Sequence, residues 1–138
     1  MRSFLMLLFI IFGGIGSCDS AKEAAELKDV KWMLETLNGE KVKLTDSTDK
    51  MFIQFDIAEK RVNGRAACNR FFGNFELNDS KLKFSPMGAT RMACPDLAKE
   101  TEFFQMLDKV DSFNLKDNML SFLSQKEVVA TFQKSTEN

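Results

Sequence analysis

The chain has 138 residues, with 14 Phe, 8 Met, 3 Cys, one Trp, and no His or Tyr. That length fits one domain, and 19 basic against 20 acidic residues give a net charge of -1. Without histidine, Ser-His-Asp and Cys-His catalysis are excluded within this chain, and so is the commonest zinc ligand. The charge balance supplies no global basic field to hold nucleic acid.

The N-terminus reads as an address. Arg2 is a short positive region, and Phe4 to Phe12 is an unbroken apolar run. Nine residues rise about 14 Å as a helix, about half a hydrocarbon core, so the run is a secretory signal rather than a membrane span. Ile15-Gly16-Ser17-Cys18 resembles a bacterial lipobox. Small residues admit the peptidase to the bond, and the Cys18 thiol would carry the diacylglyceryl group. Two or three chains anchor stably where one is marginal. The expected division is therefore a lipoprotein signal peptide over 1–17, a lipidated Cys18 with a tether over 18–29, and one domain over 30–138. The tether is polar and Ala-rich, with room for a helical turn. The localisation this implies is the bacterial cell envelope, on its periplasmic or surface side.

With Cys18 assigned to lipid, Cys68 and Cys94 remain. An even remainder in an oxidising compartment points to one disulfide; two buried free thiols or a two-thiolate metal site are the alternatives. Wide spacing and the lack of His weaken the metal reading.

From Val30 onward the pattern is one of short strands. Lys31 to Leu37 alternates, Asn38-Gly39 is a hairpin turn, and Val42 and Leu44 fall on the return strand. Lys50 to Ile57 alternates with Ile53, Phe55 and Ile57 on one face. Arg61 to Ala66 follows, with a kink or bulge expected at Asn63-Gly64. Gly73 to Leu77 and Lys81 to Phe84 flank Asn78-Asp79-Ser80. Asp96 to Val110 has the spacing of a helix, with Pro95 before it and Asp96 as cap or dipole partner. Strands over 111–116, 119–123 and 127–132 follow, with turns at Asp117-Asn118 and Gln125-Lys126. The sum is a mainly β, small antiparallel barrel-like domain with one α-helix inserted before the last three strands.

Four stretches carry a family resemblance: Trp32-Met33-Leu34, Gly64, Cys68-Asn69-Arg70-Phe71-Phe72-Gly73-Asn74-Phe75, and Ala89-Thr90-Arg91-Met92-Ala93-Cys94-Pro95-Asp96, with Glu102, Phe103 and Leu107 on the helix. Over about residues 30–133 the chain resembles the META domain, or HslJ-like, family. The resemblance implies a β-barrel-like fold with a helix and no established catalytic activity. It also implies an envelope protein with ties to stress or drug resistance. The family motif falls on Cys68, Asn69, Arg70, Gly73, Thr90, Arg91, Met92 and Cys94. Ala67 stands where glycine is common.

A Cys68–Cys94 bond would gather Asn69, Arg70, Thr90 and Arg91. They can form a recognition patch in which Arg70 or Arg91 meets a carboxylate or phosphate. The favoured reading is structural: Asn69 and Thr90 bond loop backbone, and Arg91 pairs with a local acid. Phe71 and Phe72 are expected to turn together into the end of the barrel. Asp96 and Glu100 read as a solvated helix start, and Glu100 and Glu102 diverge, so no carboxylate pair converges for acid–base work. No catalytic, cofactor or metal residues are expected. The chain reads as a monomeric, non-enzymatic binding or interaction module, held to the membrane through Cys18, with an unknown envelope protein or small ligand as partner. The alternative is a carrier of a small apolar ligand inside a β-barrel.

Overall fold

The computed structural model describes residues 19–46 and 50–136, so the expected leader and Cys18 lie outside the described residues. Helix α1 (Asp19–Leu27) precedes β1 (Lys31–Leu37), β2 (Glu40–Lys41), β3 (Phe52–Asp56), β4 (Arg61–Ala66), β5 (Asn69–Asn78), β6 (Lys81–Phe84) and β7 (Gly88–Ala89). Helix α2 (Leu97–Lys109) then leads to β8 (Ser112–Lys116), β9 (Met119–Ser124) and β10 (Glu127–Lys134). Eight strands close a ring in the order β1-β3-β4-β5-β6-β8-β9-β10, and β10 returns to β1. Every pairing in the ring is antiparallel. The ring joins these strands to one another, with β6 and β8 meeting at a single pair, Lys81 and Ser112, and the short strands β2 and β7 add to β1 and β5.

Turn chemistry sets the registers. Asn38 and Gly39 have φ of 49° and 84°, Asp117 and Asn118 of 52° and 61°, and Gln125 and Lys126 of 50° and 70°. Each pair makes a two-residue turn whose twist matches the flanking strands. The return strand after Asn38-Gly39 is shorter than its alternation implies, because only Glu40 and Lys41 pair with β1 before the chain leaves the sheet. Val42 and Leu44 still pack against the core from outside a strand.

Gly64 is not a bulge. It pairs in register with Ile53 on one side and Phe71 on the other. A Cβ there would strike the carbonyl oxygen of Phe52 and come within 2.7 Å of the Phe71 ring. The glycine is required by close approach. Gly64→Ala is expected to cost about 2 kcal/mol or more, since backbone cannot yield as a side-chain tip does. A urea midpoint equal to that of the parent would show that the ring and strand move aside.

The ring's interior is filled by side chains. Phe55 meets Phe75 edge-on at 5.2 Å, and Phe122 lies 4.8 Å from Phe132 and 5.4 Å from Phe84. Trp32, Ile53, Leu82 and Leu120 complete this layer. Phenylalanine suits it, because its ring brings no hydroxyl that needs a partner. Along α2, Phe103, Met106 and Leu107 are buried, and the Phe71 ring meets that of Phe103 at 5.5 Å with the planes tilted by 55°. These side chains occupy the interior in which the apolar-carrier reading would place its ligand.

The N-terminal stretch is more ordered than a tether. Nine residues form α1, Leu27 is fully buried, and Asp29 N–H reaches the Phe55 carbonyl at 3.5 Å. One apolar residue at the end of a polar helix is enough to dock it.

Candidate functional site

Cys68 and Cys94, 26 residues apart, are disulfide-bonded with a Cα–Cα distance of 6.2 Å. Cys68 lies in the two-residue turn between β4 and β5, set by Ala67 at φ 54°. That left-handed backbone is where glycine is at ease, so alanine here carries a local strain. Cys94 lies between β7 and α2. The bond holds the segment 90–95 against the start of β5.

Asn69 is the hub. It is 1 % exposed, and every side-chain position for a hydrogen bond is used. Its Oδ1 accepts from the Thr90 hydroxyl at 3.0 Å and from Met92 N–H at 2.7 Å. Its Nδ2 donates to the Met92 carbonyl at 3.1 Å and to Glu100 Oε1 at 2.8 Å. Its backbone N–H donates to Glu100 Oε2 at 3.2 Å. Thr90 links the next residue: its hydroxyl accepts from Arg70 N–H at 3.1 Å, and its own N–H reaches the Arg70 carbonyl at 3.0 Å.

Glu100 is therefore not part of a solvated helix start. It is 7 % exposed, and its carboxylate is clasped by Asn69. The signal was in the spacing: Glu100, Phe103 and Leu107 recur at helical intervals on the stripe that α2 buries. A carboxylate on that stripe needs a polar partner, and Asn69 is it. Position in the first turn adds a favourable interaction with the helix dipole.

Asp96 is not a side-chain cap either. Its carboxylate accepts from Thr45 N–H at 3.0 and 3.1 Å and from the Thr45 hydroxyl at 2.8 Å. It ties the long β2–β3 connection to the start of α2. A second tie joins the β1–β2 turn to the same helix. Glu102 accepts from Lys99 at 2.8 Å and from Asn38 Nδ2 at 2.9 Å. The Lys99 bond, then the Asn38 bond, hold the Glu102 carboxyl below its usual range, and the Lys99 ammonium is raised in turn by its bond to Glu102. A depressed carboxyl adds stability above its unfolded value, and that stability is lost as pH falls through the folded one. Glu102→Gln is expected to cost less than about 1 kcal/mol at pH 7, because both groups are partly exposed. The difference should close by pH 3. Urea midpoints at the two pH values check it; an equal deficit at both would mean that charge plays no part.

Arg70 and Arg91 stand apart from this network. Both side chains are exposed, and among the described residues neither makes a side-chain hydrogen bond or ion pair. The expected pairing of Arg91 with a local acid is thus not found. The expected burial of both phenylalanines is also overturned. Strand β5 already starts at Asn69, so Phe71 points inward and is buried while Phe72 points outward at 64 % exposure. Met92, next to Arg91 in sequence, is 60 % exposed. The site thus has two layers: a closed polar clasp beneath, and two arginines with two apolar side chains above. Among the described residues, no group of three His, Cys, Asp or Glu is placed to hold a metal ion.

The chain as a whole is similar to known proteins. Over 132 residues the chain is 25 % identical to the heat shock protein HslJ of Escherichia coli (strain K12), covering 94 % of this chain and 91 % of that protein. An NMR structure of a protein from Burkholderia xenovorans superposes with a TM-score of 0.69 at 21 % identity, covering 95 % of this chain and all of that one. A second NMR structure superposes with a TM-score of 0.62 at 28 % identity, covering 80 % and 92 %. Residues 25–137 match the META domain, from within α1 to the end of β10, and the chain belongs to that family.

Proposed function

We propose that the protein is a non-catalytic interaction module of the bacterial envelope, lipid-anchored through Cys18 and engaging another envelope component through the face that bears Arg70 and Arg91. The observation that carries this reading is the division of labour around the disulfide. Asn69, Thr90 and Glu100 spend their polar groups on each other and on backbone, whereas Arg70 and Arg91 remain exposed, Arg70 on the same face of β5 as exposed Phe72. Exposed arginine next to an exposed aromatic is the composition of an interface anchor. The lipobox-like Ile15-Gly16-Ser17-Cys18 supports the anchor. Kinship with a heat shock protein supports a role under envelope stress.

A photo-crosslinking residue at position 72 of the full chain, introduced in cells, tests the face. The parent should capture a specific envelope component, and Arg70→Ala, Arg91→Ala should lose most of the product. Equal capture by both proteins would remove the arginines from the site. The N-terminal peptide of the native protein, weighed intact, should carry acyl chains on Cys18.

A further inference from the structure

The arginines of this chain are not scattered. Apart from Arg2 there are four: Arg61, Arg65, Arg70 and Arg91. Alternation puts Arg61, Asn63 and Arg65 on the outer side of β4, between buried Val62, Gly64 and Ala66. On β5 the outer residues are Arg70, Phe72 and Asn74. The register sets Arg65 opposite Arg70, Asn63 opposite Phe72, and Arg61 opposite Asn74. Arg91 follows Thr90, which is bonded to the backbone of Arg70. Arg61, Arg65 and Arg70 therefore share one side of the barrel with Phe72 at its centre, and Arg91 follows directly after the residue bonded to Arg70.

The register sets one like-charge pair, Arg65 and Arg70, directly opposite. Like charges directly opposite on paired strands are destabilising. Arg65 is held partly by its own Nε–H bond to the Ala67 carbonyl at 2.8 Å. The acid facing Arg61 across β3, Asp56, turns to accept from Glu59 N–H at 3.0 Å. Among the described residues, Arg61 makes no ion pair. A surface groove of about 570 Å³ runs beside Phe72, lined by Arg61, Asn63, Asn74 and Ser85 among others. It offers a guanidinium and two amides to an oxyanion, while the Ser85 hydroxyl donates to the Asn74 carbonyl at 3.1 Å.

We infer that this side of the barrel docks on an anionic phospholipid surface, with Phe72 entering the interface and Arg61, Arg70 and Arg91 meeting headgroup phosphates. The inference rests on the proposed anchor and names the component that the same face engages. Charge complementarity selects an anion, and outward apolar side chains among cations select an interface rather than free phosphate. The path of the chain agrees. Asp29 bonds the Phe55 carbonyl, and Phe55 pairs with Val62, next to Arg61. From Leu27, α1 extends only about 13 Å back towards Cys18. The docked end of α1 thus lies near the Arg61 end of β4.

The full native protein, reconstituted in phosphatidylcholine vesicles with or without about 30 % phosphatidylglycerol, provides the test. Phenylglyoxal labelling is read arginine by arginine by peptide mass. Phosphatidylglycerol should slow labelling of Arg61, Arg70 and Arg91 by roughly threefold or more, and about 0.5 M salt should reverse it. Acetylation of Lys126, in the β9–β10 turn across the ring, should not change. Phe72→Ser, at an exposed position, should fold normally and lose most of the protection. Equal labelling in both vesicles overturns the inference. Protection in native membranes but not in protein-free phosphatidylglycerol vesicles also overturns it, in favour of a protein partner. The Cys18 peptide from the same digest reports acylation separately, so a bare Cys18 with protected arginines would fail the anchor and not the face.

Discussion

Asn69→Ala is expected to lower the unfolding free energy by about 3 kcal/mol or more, the largest loss of any single polar residue in the domain. The reason is not the sum of the lost bonds. Each hydrogen bond contributes about 1 kcal/mol net, because water competes for the same groups in the unfolded chain. The groups left behind cost more. The Glu100 carboxylate stays buried with both of its Asn69 donors altered or gone, and Met92 loses partners for its N–H and carbonyl. A buried charge stripped of its donors costs several kcal/mol. Asn69→Asp should be worse at neutral pH, since it sets a second carboxylate against Glu100. The companion Asn69→Ala, Glu100→Leu should recover part of the loss by removing the orphaned charge, and coupling in that double-mutant cycle separates the clasp from general packing. Urea unfolding of the four proteins measures it. Strict additivity would mean that Asn69 and Glu100 act independently.

Breaking the disulfide is expected to cost a similar amount by another route. A crosslink across 26 residues restricts the unfolded chain by about 3.5 kcal/mol in the loop-closure treatment. The folded state should respond locally. With Cys68 and Cys94 reduced, residues 90–95 are held by Thr90 and Met92 alone, through Arg70 and Asn69. Mild reduction should therefore lower the urea midpoint and expose the bond after Arg91 to trypsin, while the β8–β9–β10 meander stays protected. A reduced protein with an unchanged midpoint would show that the polar clasp alone closes the site. Because the bond and the clasp restrain the same segment, Asn69→Ala under reducing conditions should lose more than either change alone predicts.

Much of the barrel was legible in the residues. Strands β1 and β4 fall where alternation puts them, at Lys31–Leu37 and Arg61–Ala66. The turns at Asn38-Gly39, Asp117-Asn118 and Gln125-Lys126 have the backbone their residues favour. Local chemistry decides such features, so local sequence reveals them. The misreadings share a different cause. Asn69-Arg70-Phe71-Phe72 looked like loop chemistry beside a cysteine, yet it opens the longest strand, because pairing with β4 and β7 absorbs its backbone. Glu100 looked like a solvated carboxylate because its partner lies 31 residues away. Asp96 looked like a cap because Thr45, 51 residues away, is invisible to local spacing. The gathering of Arg61, Arg65, Arg70 and Arg91 depends on strand register, which no composition or charge count contains. The overall charge of -1 in fact conceals it. Of the four residues singled out beside the cysteines, Asn69 and Thr90 are bound into the hydrogen-bond network, and Arg70 and Arg91 are exposed.

Equilibrium urea unfolding of Arg70→Ala, Arg91→Ala tests that separation of scaffold from binding face most directly. The two side chains make no ion pair among the described residues, and Arg70 faces Arg65 across the sheet. Exposed substitutions of this kind stay within about 0.5 kcal/mol of the parent, and relief of like-charge repulsion favours the variant. The expected unfolding free energy is equal to that of the parent or slightly higher. A loss of about 2 kcal/mol or more would make the arginines part of the scaffold and contradict their assignment to a binding face.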